Sequence, residues 1–185
     1  MFVDEDGLSS QIVNRLVKKG CDVITVMRGA KFDPVNDHVY AINPQQKADY
    51  EALFQALKDR EKIPERIVHL WNITRKDCTH LNGSSFDDLQ YSGFFSLIHI
   101  AQSLGKLNIT ASIQMDVLST HLQEVTGTES ICPDKATLLG ACKVIPQEYS
   151  NVSCRSIDFD GALGENGLAE KIIDELTSNS AEVSV

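Results

Sequence analysis

The residues with the most chemical promise lie around Lys135, in Ile131-Cys132-Pro133-Asp134-Lys135. A tyrosine four residues before a lysine at a helix start can protonate a nascent alkoxide, because the neighbouring ammonium lowers the phenol pKa. Lys135 occupies the lysine place, but residue 131 is isoleucine, which transfers no proton. Lys135 alone therefore reads as a surface charge. The serine that would assist such a pair is hard to place after Ser112-Ile113-Gln114-Met115. Val3-Asp4-Glu5-Asp6-Gly7-Leu8-Ser9-Ser10 stands where a dinucleotide-binding turn would need two or three glycines, and keeps one. Its three carboxylates suit the positive end of the following helix and repel phosphate, so the turn reads as self-capped. Arg28, at a strand end, stands where a nucleotide 2′-phosphate would be read, yet it lacks a phosphate-binding turn upstream.

Other nucleophile or metal patterns are weak. Ser84, Ser85, Ser119 and Ser130 lack a Gly-x-Ser-x-Gly elbow, and Cys78 and His80 are neighbours in sequence only. His69, His80, His99 and His121 never reach His-x-x-x-His spacing. Asp87, Asp88, Asp158 and Asp160 read as capping or solvated carboxylates. Tyr91 and Tyr149 are the poor remaining proton donors. The expectation is no catalytic, cofactor-binding or metal-binding residue in this chain. The five cysteines (Cys21, Cys78, Cys132, Cys142, Cys154) form no Cys-x-x-Cys pair and read as reduced, small apolar side chains.

These residues need elements to hold them. Phe2-Val3 reads as the tail of a strand. Leu8, Ile12 and Leu16 recur at helical spacing before Gly20. Strands are expected at 22–27, 38–42, 66–71, 108–115 and 152–159. Asn43-Pro44 opens a helix to Asp59. Ser85 with Asp88 resembles a capping box for one long helix ending at Gly105, and Pro133 starts another with Leu138, Cys142 and Ile145 on one face. A last helix spans 168–176, and 75–84 reads as a loop. Strands apolar on both faces, alternating with helices, predict an α/β fold: a truncated Rossmann-like, doubly wound, mostly parallel sheet of about six strands in the order 3-2-1-4-5-6. No linker or repeat divides residues 1–185, so one domain is expected.

Across 185 residues, 26 acids against 17 bases give a net charge of −9. That disfavours nucleic acid and anionic membrane surfaces as partners. No apolar run nears the ~18 residues of a spanning helix, and MFVDEDGLSS lacks the regions of a secretory signal. A cytoplasmic protein is expected.

Four segments, FVDEDGLSSQIVNRLVKKGCDVITV, IVHLWNITR, FDDLQYSGFFSLIHIAQSLGK and KATLLGACKVIPQEYSNVSCRSIDFD, together resemble one family. It is the structural subdomain of the ketoreductase region of modular type I polyketide synthases, a short-chain dehydrogenase/reductase-like fold. The resemblance runs from the first strand to the last helix. It implies one half of a larger multifunctional enzyme. The other, catalytic half would bind NADPH and reduce a carrier-bound β-ketoacyl intermediate, while this half packs against it and against neighbouring synthase domains. Phe94 and Phe95 either face the core or form part of that docking face. Two alternatives stay open: an autonomous but degenerate NADP-dependent short-chain reductase, and an interaction module docking other synthase domains. The acidic charge is a poor match to acidic carrier proteins.

Overall fold

The computed structural model describes residues 1–5, 7–74, 83–124, 127, 131–159 and 167–177, with backbone only at 83–85. Its elements are α1 (Leu8–Lys18), β1 (Thr25–Arg28), β2 (Asp33–Asn36), β3 (Val39–Ile42), α2 (Lys47–Asp59), β4 (Arg66–Asn72), α3 (Gly83–Ser92), α4 (Phe94–Lys106), β5 (Ile113–Ser119), α5 (Thr137–Glu148), β6 (Val152–Asp158) and α6 (Leu168–Thr177). A 3-10 turn, Pro133–Lys135, precedes α5.

Two strand triplets, β1-β3-β2 and β4-β5-β6, are joined through the N-terminal segment. Phe2 N–H donates to Val68 O (2.8 Å) and Phe2 O accepts from Leu70 N–H (2.9 Å), while Val26 N–H donates to Met1 O (2.8 Å). Counting Phe2 as the first strand and setting β2 aside, the order is the expected 3-2-1-4-5-6. Among the described strands only β2 is antiparallel. It was not foreseen, because Pro34 breaks the strand pattern, and an edge strand is where a proline is tolerated.

Alternate residues of β4 feed two cores. Ile67 and Trp71 join Tyr50, Leu53 and Phe54 of α2, Leu97 and Leu104 of α4 and Ile145 of α5 on one face. Val68 and Leu70 join Leu8 and Ile12 of α1 and Ile172 and Leu176 of α6 on the other. Helices on both faces let a parallel sheet bury both sides. Gly20 (φ 86°) closes α1 as expected, with Cys21 N–H on Leu16 O and Gly20 N–H on Val17 O.

Several boundaries move. The strand expected at 108–115 is β5, and it runs later. Asn108 turns back at φ 50°, and the Asn151 amide takes up Ile109 O and Ala111 O before the ladder with β6 begins at Ile113. Asn43-Pro44 forms a turn, with Asn43 Oδ1 accepting from Gln45 N–H, and α2 starts at Lys47. Ser85 is the third residue of α3, so Ser85 and Asp88 are not its cap. The single long helix is two helices, broken at Gly93. A Cβ there would meet Asn72 Oδ1 at 2.6 Å and Leu89 O at 3.0 Å. Gly93→Ala should therefore cost about 1–3 kcal/mol by overpacking, read as a lower denaturation midpoint with an unchanged m-value. Gly105 does not end α4; it makes room for the Tyr149 ring, which a Cβ would meet at 2.5 Å. Cys132 is disulfide-bonded, so the expectation of reduced cysteines fails there, while Cys21, Cys142 and Cys154 are free. Cys142 and burial both push the Cys154 thiol up. Of the loop expected at 75–84, residues 83 and 84 instead open α3, and 75–82, including Cys78 and His80, lie outside the described residues.

Candidate functional site

Open α/β sheets bind ligands at the carboxyl ends of the strands, where the order reverses. Here the reversal lies between Phe2 and β4. After Phe2 the chain caps its own helix. Asp4 Oδ1 accepts from Ser9 N–H (2.6 Å) and Asp4 Oδ2 from Leu8 N–H (3.3 Å). Gly7 takes φ 90° ahead of α1. The N–H groups that would bind a phosphate at this helix start thus meet an internal carboxylate. Asp6 lies outside the described residues.

Arg28, at the end of β1, pairs with Glu5 (3.1 Å) and donates to Ser92 Oγ (3.3 Å). It is not simply a solvated arginine; it ties the first turn to α3.

Lys135 departs most from expectation. It is 1% exposed, not a surface charge. Its Nζ donates to Asn72 O (2.7 Å), Thr120 O (2.7 Å), Thr74 Oγ1 (3.0 Å) and Thr120 Oγ1 (3.2 Å). Burial pushes the amine down to about 8, opposed by the Asp158 carboxylate. The turn at Pro133 and the start of α5 send this side chain under the ends of β4 and β5. Ile131, four residues earlier, is on the surface.

Ser119, set aside above as a nucleophile, is the last residue of β5. Its hydroxyl donates to Asp158 Oδ1 (2.9 Å). Asp158 Oδ2 accepts from Leu122 N–H (3.0 Å) and Gln123 N–H (2.9 Å), holding the segment that follows β5. Asp87 and Asp88 are exposed on α3. The Tyr91 ring lies 5.0 Å from that of Phe95, and Tyr149 packs on Gly105. His69 is buried in β4, with Nε2 2.9 Å from Ser96 Oγ, and burial pushes it down to about 3. Burial also lowers His99. Ser130 and Asp160 lie outside the described residues.

Sequence reasoning missed Asn72, Thr74 and Thr120. Only the small polar residues closing two apolar strands hinted at them. A cavity of about 690 Å³, lined by Met1, Phe2, Ile24, Leu53, Phe54 and Arg66 among others, opens at the opposite, amino-terminal edge, away from these groups. Among the described residues, no cluster of three or more His, Cys, Asp or Glu could hold a metal ion, and no helix is long and apolar enough to cross a membrane.

A family described as "Beta-ketoacyl synthase-like, N-terminal" matches residues 1–179. The chain belongs to this family. No curated protein matches it. Among solved structures, one titled as an adenylation, ketoreductase and pseudo-Asub multidomain structure of a keto acid-selecting NRPS module is 23% identical, with a TM-score of 0.84. The match covers 99% of this chain and 15% of that one. An N-terminal ketoreductase from the macrolactin assembly line gives 0.79 at 17% identity, over 96% and 36%. A short-chain dehydrogenase/reductase family oxidoreductase from Brucella ovis, in complex with a partially ordered NAD, gives 0.65 at 16% identity, over 96% and 91%. These likenesses establish the Rossmann-like, short-chain-dehydrogenase type of fold. This member of the family spans only a minor part of the two ketoreductase chains.

Proposed function

We propose that this chain is the non-catalytic structural half of a polyketide synthase ketoreductase. It packs against the NADPH-binding half that reduces a carrier-bound β-ketoacyl intermediate, as one cytoplasmic domain of a multidomain synthase. The supporting observation is the occupied carboxyl edge. Asp4 fills the N-terminus of α1, Glu5 holds Arg28, and the carbonyls of Asn72 and Thr120 hold Lys135. The groups that would meet a dinucleotide already meet each other, and residue 131 brings no phenol. A candidate docking face is the outer side of α3 and α4, where Phe86 (39% exposed) and Phe95 (38%) reach solvent while Phe94 packs against the core.

Calorimetric titration of NADPH into the purified chain should show no binding at sub-millimolar concentration. Adding the chain to the catalytic half of its own synthase should raise β-ketoacyl thioester reduction at least tenfold. Sub-millimolar NADPH affinity, or ketone-dependent NADPH oxidation by the chain alone, would instead make it an autonomous reductase. Binding to a carrier protein with no catalytic half present would make it an interaction module.

A further inference from the structure

We propose that the crevice at the carboxyl ends of β4 and β5 is a built ammonium site whose resident is the protein's own Lys135. The same oxygens would take a free primary alkylammonium ion when that lysine is shortened. This inference does not depend on the proposed function.

Donors and acceptors in the crevice match. An ammonium has three N–H groups and no lone pair. Lys135 Nζ finds Asn72 O and Thr120 O at 2.7 Å, Thr74 Oγ1 at 3.0 Å and Thr120 Oγ1, more loosely, at 3.2 Å. The Thr120 hydroxyl is itself fixed, donating to Thr74 O (3.1 Å) and accepting from Thr74 N–H (3.1 Å). The cage thus exists apart from the lysine: two strand-end carbonyls and two hydroxyls, with Thr74 and Thr120 lashed to each other. No carboxylate donates or accepts in it; Asp158 acts only through its charge. It therefore recognises N–H donors by direction as well as by charge. The polar oxygens lie deep, so a bulky quaternary ammonium, which has no N–H groups and cannot approach them closely, cannot satisfy them.

Lys135→Ala removes a volume equal to one propylammonium ion and leaves the Asn72 and Thr120 carbonyls without this donor. The melting temperature should fall by about 5–10 °C, since each buried unpaired group is costly and a chain of this size loses a few degrees per kcal/mol. Propylammonium chloride at tens of millimolar should restore at least half of that fall, against sodium chloride at equal ionic strength. Neither 1-propanol nor tetramethylammonium should do so. Lys135→Met, whose side chain refills the space of the lysine stem, should not respond to the amine. Equal rescue by 1-propanol, or no rescue, overturns the proposal. If Lys135→Ala does not fold, the unaltered protein decides. With ¹⁵N label its Lys135 NH₃⁺ resonance should persist at pH 7 with slowed solvent exchange, and exchange as fast as that of surface lysines overturns the proposal.

Discussion

Arg155→Met is expected to remove about 3–5 kcal/mol of stability, the usual cost of stranding a buried charge. Asp116 sits in the middle of β5 and is fully buried. Arg155, its register partner on β6, donates from Nε to Asp116 Oδ1 (3.0 Å). The same guanidinium reaches α6 through Glu175 Oε1 (2.9 Å) and Glu175 O (3.1 Å). Arg66 approaches Asp116 Oδ2 only at 3.4 Å, from a side chain 41% exposed, so it is a weaker, screened partner. Without Arg155 the buried Asp116 carboxylate keeps only Arg66 and the Gln114 amide, at 3.2 Å, as partners. Urea denaturation should show the loss, and Asp116→Leu combined with Arg155→Met should recover much of it. A single-variant loss under about 1 kcal/mol would mean that Arg66 carries the carboxylate, and the argument would fail.

The second large effect is expected on acidification. His69 is fully buried against the Phe2 ring (5.2 Å) and the Trp71 ring (5.5 Å), and its Nδ1 has no hydrogen-bond partner. Burial first, then the charges of the Met1 amino group and Arg28, push it down from 6.5 to about 3. The folded state keeps the imidazole neutral while the unfolded chain binds a proton below about pH 6.5. The contribution is therefore present above pH 6.5 and lost as pH falls towards 3. A shift of that size amounts to up to about 5 kcal/mol. Acidification also protonates carboxylates in general, so the reading is a difference. His69→Gln should lose stability less steeply than the unaltered chain between pH 6.5 and 4. Parallel acid limbs would show that His69 is not the group responsible.

Both effects bear on the proposed bracing role. The buried Asp116–Arg155 pair and the aromatic cluster around His69 fix adjacent strands of one sheet, so losing either should loosen the body that a catalytic half would pack against under that proposal. Reductase activity of the reassembled halves should then fall with the stability of this chain, without a change in NADPH affinity.

Some structure was legible because its causes are local. Short apolar strands between helical periods set the kind of sheet, since a strand buried on both faces must read apolar on both, and right-handed crossovers then gave the order. The acid-rich, single-glycine turn at 4–9 announced a self-capped helix, and Asp4 does cap it. Gly20 marked the end of α1 for the same kind of reason: a positive φ suits the residue without a Cβ. β5 was placed too early, stopping at residue 115, one short of Asp116, which lies in the middle of the strand. Nothing nearby in sequence revealed that Arg155, 39 residues on, would neutralise it.

The amino-acid sequence by itself therefore settled the kind of sheet, its order and the absence of a phenol at residue 131. Tertiary structure alone decided that the helix of residues 83–106 breaks at Gly93, that Cys132 is cross-linked and that Lys135 is buried. Hydrophobic period is a property of neighbours along the chain. Whether a charge can be buried depends on acceptors that arrive from elsewhere, and those of Lys135 lie 15 and 63 residues away, at Thr120 and Asn72.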